Sequence, residues 1–474
     1  MFMDSASNGI KMRWARELLV ERMRTKTKIE LNQVVSNLLD WFTTVEQSRG
    51  FGGPVVHYWD DSLSYIGPGT DWRYEGLITG LLSLEKNTKN SHYLEYARSC
   101  GEYILKNQRD NGTFNDSAFE ANPSMGFISI IHECAVDIAL LRLGTRLEKM
   151  EKGKGQPFID AARKNIDGVL IARFWNDEKK TFQQYEKGQC NNAPNLFVPN
   201  KIATACEALL LLTDATRDQK YAEYATHAGA MILSLQSNEK PTAGGIFQAN
   251  DKEQIITYYT ARCVSPLFLL YAHTKEKRFQ HAAQKAARFI ISQQLEDGSF
   301  AFGYHHGKKI RYPIFGAGTG DVLRALKKIG GFQANVKKGT TFLLSLQQPT
   351  GGFASFVGLD VNENSPFVAS WKDHLSVAGW NDKALRFLAK KTKGKIPRAN
   401  TSAAFIITCE DGTLTETRNE WNIHGKKTFH FGKNDTFAGG DLLGLKRLTY
   451  SLTRGSPTPL TKIGRFLGKI IGFR

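Results

Sequence analysis

Residues 279–300 read FQHAAQKAARFIISQQLEDGSF. The periodicity predicts an amphipathic helix over Phe279–Gln294, followed by the turn Gln294-Leu-Glu-Asp-Gly298-Ser-Phe300. Glycine ends such a helix in a left-handed turn, and the aromatic folds back onto the layer below. A glutamine in the last turn bonds the free backbone carbonyls. The same ending recurs at Gln108-Arg-Asp-Asn-Gly112-Thr-Phe114 and at Gln348-Pro-Thr-Gly351-Gly352-Phe353. A looser copy runs from Gln236 to Gly244, Gly245 and Phe247, and a shorter one from Gln47 to Gly50 and Phe51. A remaining copy has only Trp175 to Phe182 and lacks the glycines.

Working outward, the chain divides into helix pairs. The first members are Ile29–Gln47, His92–Gln108, Phe158–Phe174, Lys220–Gln236, Phe279–Gln294 and Val336–Gln348. Their partners are Tyr74–Glu85, Phe127–Leu147, Lys201–Thr213, Tyr259–His273, Asp321–Ile329 and Trp380–Lys391. The partners are more apolar: compare GLITGLLSL and IATACEALLLL with SHYLEYARSCGEYILKNQ. A helix apolar nearly all round is buried, while an amphipathic one faces solvent on one side. Six outer helices therefore alternate with six inner ones, and such units bury a core only by stacking. The expected fold is all-α, an (α/α)6 toroid of six helical hairpins over residues 28–392. The alternative is an open α-solenoid, since repeats need not close.

After Thr392 the pattern changes. AAFIITCEDGTLTETRNEWNIHGKKTFHFG alternates and carries D-G and H-G turn signals, which predicts a small β-hairpin appendage over 393–455. The segment 456–474 ends in LTKIGRFLGKIIGFR, a basic amphipathic pattern that suits a bilayer interface or the rim of the toroid itself. Residues 1–27 form a basic segment (Lys11, Arg13, Arg16, Arg22, Arg24, Lys26). Of 474 residues, 63 are Lys or Arg and 46 are Asp or Glu, a formal net charge of +17. That excess favours an anionic partner. Nothing resembles a recognition helix or binding module for nucleic acid. Six cysteines form no CxxC pair, so they read as scattered thiols of a reducing compartment. No secretory h-region and no long apolar run is present, and the expected location is cytoplasmic, peripheral on the inner face of a membrane if the basic tail binds it.

The six-hairpin layout resembles the (α/α)6-toroid superfamily of carbohydrate-active enzymes: six-hairpin glycosidases, unsaturated uronyl hydrolases, sugar 2-epimerases and glucuronyl C5-epimerases. The Gln–Gly–Phe turns are also similar to degenerate QW repeats of terpene cyclases. The resemblance covers residues 28–392 at the level of architecture, and one fold hosts many chemistries. The D-x-D-D acid of class II terpene cyclases is absent; His57-Tyr-Trp-Asp60-Asp61-Ser62 lacks its first acid. No Asp-rich D-D-x-x-D helix and no matching Cys-His zinc cluster is visible. These departures push the reading toward carbohydrate.

In such toroids the long loops bring six inner-helix N-termini to one mouth, where their dipoles favour anions. Sugar chemistry needs aromatic faces and proton-moving carboxylates. Glu75 and Asp382 are the expected acid–base pair for hydrolysis, with Asp71 or Asp373 in reserve. Asp71 and Asp321 also suit helix caps. Epimerisation at C5 of a uronate would use Tyr258 or Tyr259 with a carboxylate, and Arg262 or Arg73 on the substrate carboxylate. Substrate binding is expected from Trp72, Arg73, Tyr74, Arg262, Arg311, Tyr312, Trp371, Asp373, His374 and Trp380. The expected partner is an acidic oligo- or polysaccharide or a lipid-linked glycan in envelope glycan assembly, with a membrane surface as a further partner through the basic tail. No cofactor and no metal is expected, and adjacent His305 and His306 are read as solvated because neighbouring histidines point apart. An isoprenoid cyclase and a non-catalytic glycan- or lipid-binding scaffold are the rival readings.

Overall fold

The computed structural model describes residues 30–47, 49–58, 62–114, 129–187, 196–361, 369–435, 437–439 and 449–451. The basic segment 1–27, the tail 456–474, Cys190, and Trp59, Asp60 and Asp61 lie outside the described residues.

Among the described residues twelve α-helices follow one another: α1 Leu31–Thr44, α2 Arg73–Thr88, α3 His92–Asn107, α4 Ile130–Met150, α5 Gln156–Asn165, α6 Pro199–Thr216, α7 Lys220–Ser234, α8 Thr257–Thr274, α9 Lys277–Ser292, α10 Thr319–Ile329, α11 Gln333–Ser345 and α12 Ala378–Leu388. The even-numbered helices form the inner layer. In α4 nearly every residue from Ile130 to Leu141 is buried. The outer α9 buries only Phe279, Ala282, Ala283, Ala286, Ala287, Phe289 and Ile290, one stripe at helical spacing. Inner helices pack around a ring, α2 on α4, α4 on α6, α6 on α8, α8 on α10, α10 on α12, and α12 back on α2. The last contact closes the toroid and excludes the open solenoid.

The glutamine signature locks the outer layer. Gln108 Nε2 donates to its own turn at Gly112 O (3.0 Å) and to Ala161 O of the next outer helix (2.9 Å). Gln236 does the same to Gly244 O and Ala282 O, and Gln294 to Gly298 O and Asn335 O. In the sixth copy the clamp is Gln347, which donates to Gly351 O and to Val34 O of α1, not Gln348 as the sequence pattern suggested. Gln348 instead bonds His374 O and Ser376. Gln47 also departs from the pattern, donating to Lys433 O and Asp435 O of the C-terminal region. The copy without glycines ends differently: α5 widens into a π-helical stretch, Ile166–Phe174, and a short hairpin pairs Trp175 with Phe182.

Inner helices return to outer ones through tight turns. Lys89, Arg217 and Lys275 take left-handed backbone at φ 60°, 65° and 61°, each donating its N–H four residues back.

Strands 404–409, 412–417, 420–425 and 428–432 form an antiparallel meander. It seats on α1, where Trp41 Nε1 donates to Glu416 (2.7 Å). A second sheet joins 437–439 and 449–451 to the hairpin 53–57/62–66 of the first long loop. Tyr65 OH donates to Gly432 O, and its ring stacks on Phe431. The C-terminal region therefore holds the loop that enters the toroid's mouth. Among the described residues no helix is long and apolar enough to cross a membrane. Cys100, Cys134, Cys206 and Cys263 are buried free thiols, and Cys409 is half-buried.

Candidate functional site

The first turns of the inner helices surround a cavity of about 40 Å³. Trp72 and Glu75 come from the start of α2, Ile131 from α4, Asn200 and Lys201 from α6, Tyr258, Tyr259 and Arg262 from α8, Trp380 and Lys383 from α12. Tyr58, from the first long loop, completes the wall. Of the residues expected from the sequence, Trp72, Glu75, Tyr258, Tyr259, Arg262 and Trp380 meet here.

One side is aromatic. Trp72 and Trp380 meet edge to face at 5.1 Å, Tyr258 packs against Trp380 at 5.3 Å, and Tyr258 stacks on Phe315. The hydroxyls of Tyr58 and Tyr259 are 2.8 Å apart. The Tyr258 hydroxyl donates to Asp321 (3.4 Å). Burial, then the Asp321 charge, holds the Tyr258 phenol well above its usual value, so it stays protonated.

The floor is ionic. Arg262 donates from Nη1 to Glu75 Oε1 (3.2 Å) and from Nη2 to Glu75 Oε2 (2.9 Å), and Nη1 also reaches Asp321 (3.0 Å). Arg386 bridges the same two acids from the opposite helix. Burial opposes ionisation of Glu75, but Arg262, Arg386 and Lys383 outweigh it and hold the carboxylate well below the usual range. Glu75 is thus ionised and fixed, a poor proton donor. Asp321 does not act as a simple cap, because its carboxylate faces these arginines.

Lys383 donates to Asp382 (2.5 Å) and to Trp72 O (3.1 Å), and its ammonium lies 4.4 Å from the Trp72 ring. Asp382 is fully buried behind it and is not on the cavity wall. Its Oδ2 accepts from Gly76 N (3.0 Å), while Oδ1 has no partner. Burial pushes Asp382 up to about 7, with Lys383 and Arg386 offsetting part of the effect. Burial also lowers Lys383, against the pull of Asp382 and Glu75.

Other expected residues lie elsewhere. Asp71 pairs with Arg73 and accepts the Arg73 backbone N–H (3.0 Å), so this acid does cap α2. Arg73 turns away from the cavity to the carbonyls of Phe51, Gly67 and Gly69. Tyr74 is buried against Phe51 and Tyr103 and donates to Arg49 O. Asp373 accepts from the backbone of Gly358 and Leu359, with burial raising it to about 6. Trp371 N donates to Asp411, and the His374 ring meets Phe405, so both sit under the C-terminal meander. Arg311 is exposed and lies over the Tyr312 ring. None of these eight lines the cavity.

The sequence reading overlooked Lys383 and Arg386. The signal was present: Lys383 and Arg386 stand three residues apart, on one face of a helix, among the apolar Ala384, Leu385, Phe387 and Leu388.

No protein-family profile and no curated protein matches the sequence. Solved structures do resemble the fold. A glycosyl hydrolase family 88 protein from Bacteroides vulgatus matches with a TM-score of 0.53 at 11% identity, covering 76% of this chain and 97% of its own. An unsaturated glucuronyl hydrolase specific for heparin matches at 0.54 and 12% identity, with coverages of 76% and 96%. A D-mannose isomerase matches at 0.53 and 13% identity, with coverages of 77% and 98%. The chain shares with these proteins the (α/α)6 toroid fold.

Proposed function

We propose that this chain is a carbohydrate-active enzyme that takes an anionic, uronate-bearing glycan in the toroid mouth and epimerises the uronate at C5. One observation carries the anionic substrate. Four buried or nearly buried cations under the cavity, Arg262, Arg324, Lys383 and Arg386, meet three acids, Glu75, Asp321 and Asp382. Buried charge without compensation is costly, and a bound carboxylate supplies the compensation. Trp72 and Trp380 offer the apolar faces that a pyranose stacks on. A positively charged wall is a poor fit to the apolar substrate of an isoprenoid cyclase.

Inverting and retaining hydrolysis both need two carboxylates flanking the scissile bond. Among the described residues the wall carries one, Glu75, and its proton affinity is low. Epimerisation needs less. Lys383 first passes a proton to Asp382, whose carboxyl burial raises to about 7; the neutral amine then takes the C5 proton, and the electron pair moves into the uronate carboxylate. Lys201 and Arg262 hold the resulting enediolate. The protonated Tyr258 returns a proton to the opposite face, and solvent exchange restores both groups. The similar structures include an unsaturated glucuronyl hydrolase specific for heparin and a D-mannose isomerase, which supports the substrate class. The basic segments 1–27 and 456–474 support a site of action at an anionic, cytoplasmic membrane face, where a lipid-linked glycan would be met.

The test is incubation of the full chain with glucuronate-containing oligosaccharides in deuterium oxide. The reading expects deuterium at C5, lost in Lys383→Met and Tyr258→Phe variants whose far-UV circular dichroism is unchanged. New reducing ends without deuterium would replace epimerisation by hydrolysis. No thermal shift with uronates, beside a shift with polyprenyl diphosphates or linear triterpenes, would overturn the anionic-glycan reading.

A further inference from the structure

We propose that Glu253, His305 and His306 form a binding site for a zinc-class divalent ion at the rim of the toroid mouth. The donor atoms of the three side chains all lie within 4.8 Å of one another. The two imidazoles do not diverge, as neighbours on a strand would. Their ring centroids are 4.2 Å apart. The cause is the turn: His306 takes left-handed backbone at φ 45° and Gly307 follows at 74°. This reverses the chain and brings both rings to one side.

The corner is fixed by its backbone. His306 N–H donates to Glu253 O at 2.7 Å. Strand 303–305 pairs with 254–256, Gln254 opposite His305, and also with 308–310. Glu253 N–H donates to Asp251 Oδ1 (3.1 Å), which sets the preceding turn. Three donors therefore leave one braced corner, and little backbone order is lost when an ion binds.

The donor set selects the ion. Two imidazoles and one carboxylate suit zinc or its transition-metal neighbours, while calcium and magnesium prefer oxygen. Rotamer adjustment brings imidazole nitrogens to about 2.0–2.1 Å from zinc, leaving a coordination position for solvent. Lys308, opposite His305 in the hairpin, weakens the site electrostatically, and the Glu253 carboxylate offsets it. A bound ion would tie the segment entering α8 to the facing hairpin. That segment delivers Tyr258 and Tyr259 to the cavity wall. The proposal does not depend on the reaction assigned to the cavity.

Equilibrium dialysis of the full chain against zinc chloride, with metal quantified per chain, tests it. About one zinc ion per chain is expected, with a raised unfolding midpoint. Glu253→Ala, His305→Ala and His306→Ala should each weaken binding about tenfold or more, and Lys309→Ala should not. These positions are exposed, so the variants keep the fold. Cobalt substitution adds an independent readout, because histidine and carboxylate ligands give no thiolate charge-transfer band. Absence of stoichiometric zinc, binding that survives the triple variant, or a thiolate band would overturn the assignment.

Discussion

Arg262 grips both oxygens of Glu75, at 3.2 Å and 2.9 Å, although the two residues stand on different inner helices, α8 and α2. Arg386 reaches the same carboxylate from α12. Three helices are thus cross-tied directly beneath the cavity. Removing one member of a buried ion pair costs about 3–5 kcal/mol; Arg386 on Glu75 and Asp321 on Arg262 remain as partners and hold the loss toward the lower figure. Glu75→Gln and Arg262→Leu should each cost roughly that amount in urea unfolding. The double variant should cost less than the sum, because neither charge is then stranded. Additive losses would mean that the pair is not coupled.

Asp382 makes stability depend on pH. Its carboxyl sits at about 7 in the fold against an ordinary 3.8, because burial penalises the charged form. Between those values the native state keeps a proton that the unfolded chain has released. The contribution is therefore complete below about 3.8 and disappears as pH rises through about 7. Asp373, raised to about 6, and the buried Asp137 act in the same direction. Asp382→Asn should flatten the decline between pH 5 and 7 (roughly, from these values) by up to about 1.4 kcal/mol per pH unit. An unchanged slope would place the Asp382 proton elsewhere.

Gly76 is required by the same contact. A Cβ there would overlap Asp382 Oδ2 and the Asp382 carbonyl, and neither is a flexible side-chain end free to move away. At Gly80, one turn on, the added carbon would meet Leu385 Cγ at 2.8 Å, an apolar side chain that can adjust. Overpacking of a close core typically costs about 1–3 kcal/mol. Gly76→Ala should fall at or above the top of that range and Gly80→Ala within it. The reverse order would deny the close approach of α2 and α12.

The toroid was legible because its signals are local and repeated. Gln108, Gln294 and their glycine turns recur at equivalent helix ends, and the inner α4 and α6 are visibly more apolar than their partners α3 and α5. The site was only half legible. Trp72, Tyr258, Arg262 and Trp380 were readable because all inner-helix starts converge on one mouth. Asp373 and Trp371 were misread because their segment passes under a C-terminal meander that no helical repeat foretells. Asp382 was misread by one residue, since a helix turns about 100° per position and Lys383 takes the wall. His305 and His306 are exposed as expected, but they do not point apart, because a left-handed turn, invisible to spacing, brings their rings together.

Ring closure rests on a contact between the two ends of the repeat. Gln347 Nε2 donates to Val34 O (2.8 Å), and Gly351, at φ 98°, lies against Asn37 O one turn further along α1. Gly298, at φ 92°, makes the equivalent contact with Lys338 O, between the successive outer helices α9 and α11. Alanine at either position combines a left-handed backbone, about 1–3 kcal/mol of strain, with an overlap on a carbonyl. Both variants should therefore lose similar global stability. They should differ in where the protein opens. α9 and α11 remain connected through α10 when the Gly298 contact fails, whereas α1 meets α11 only across the seam that closes the ring. Hydrogen exchange in α1 should accelerate in Gly351→Ala well beyond its change in Gly298→Ala. Equal exchange in the two variants would show that the inner ring, through α12 and α2, closes the toroid without help from the outer clamp.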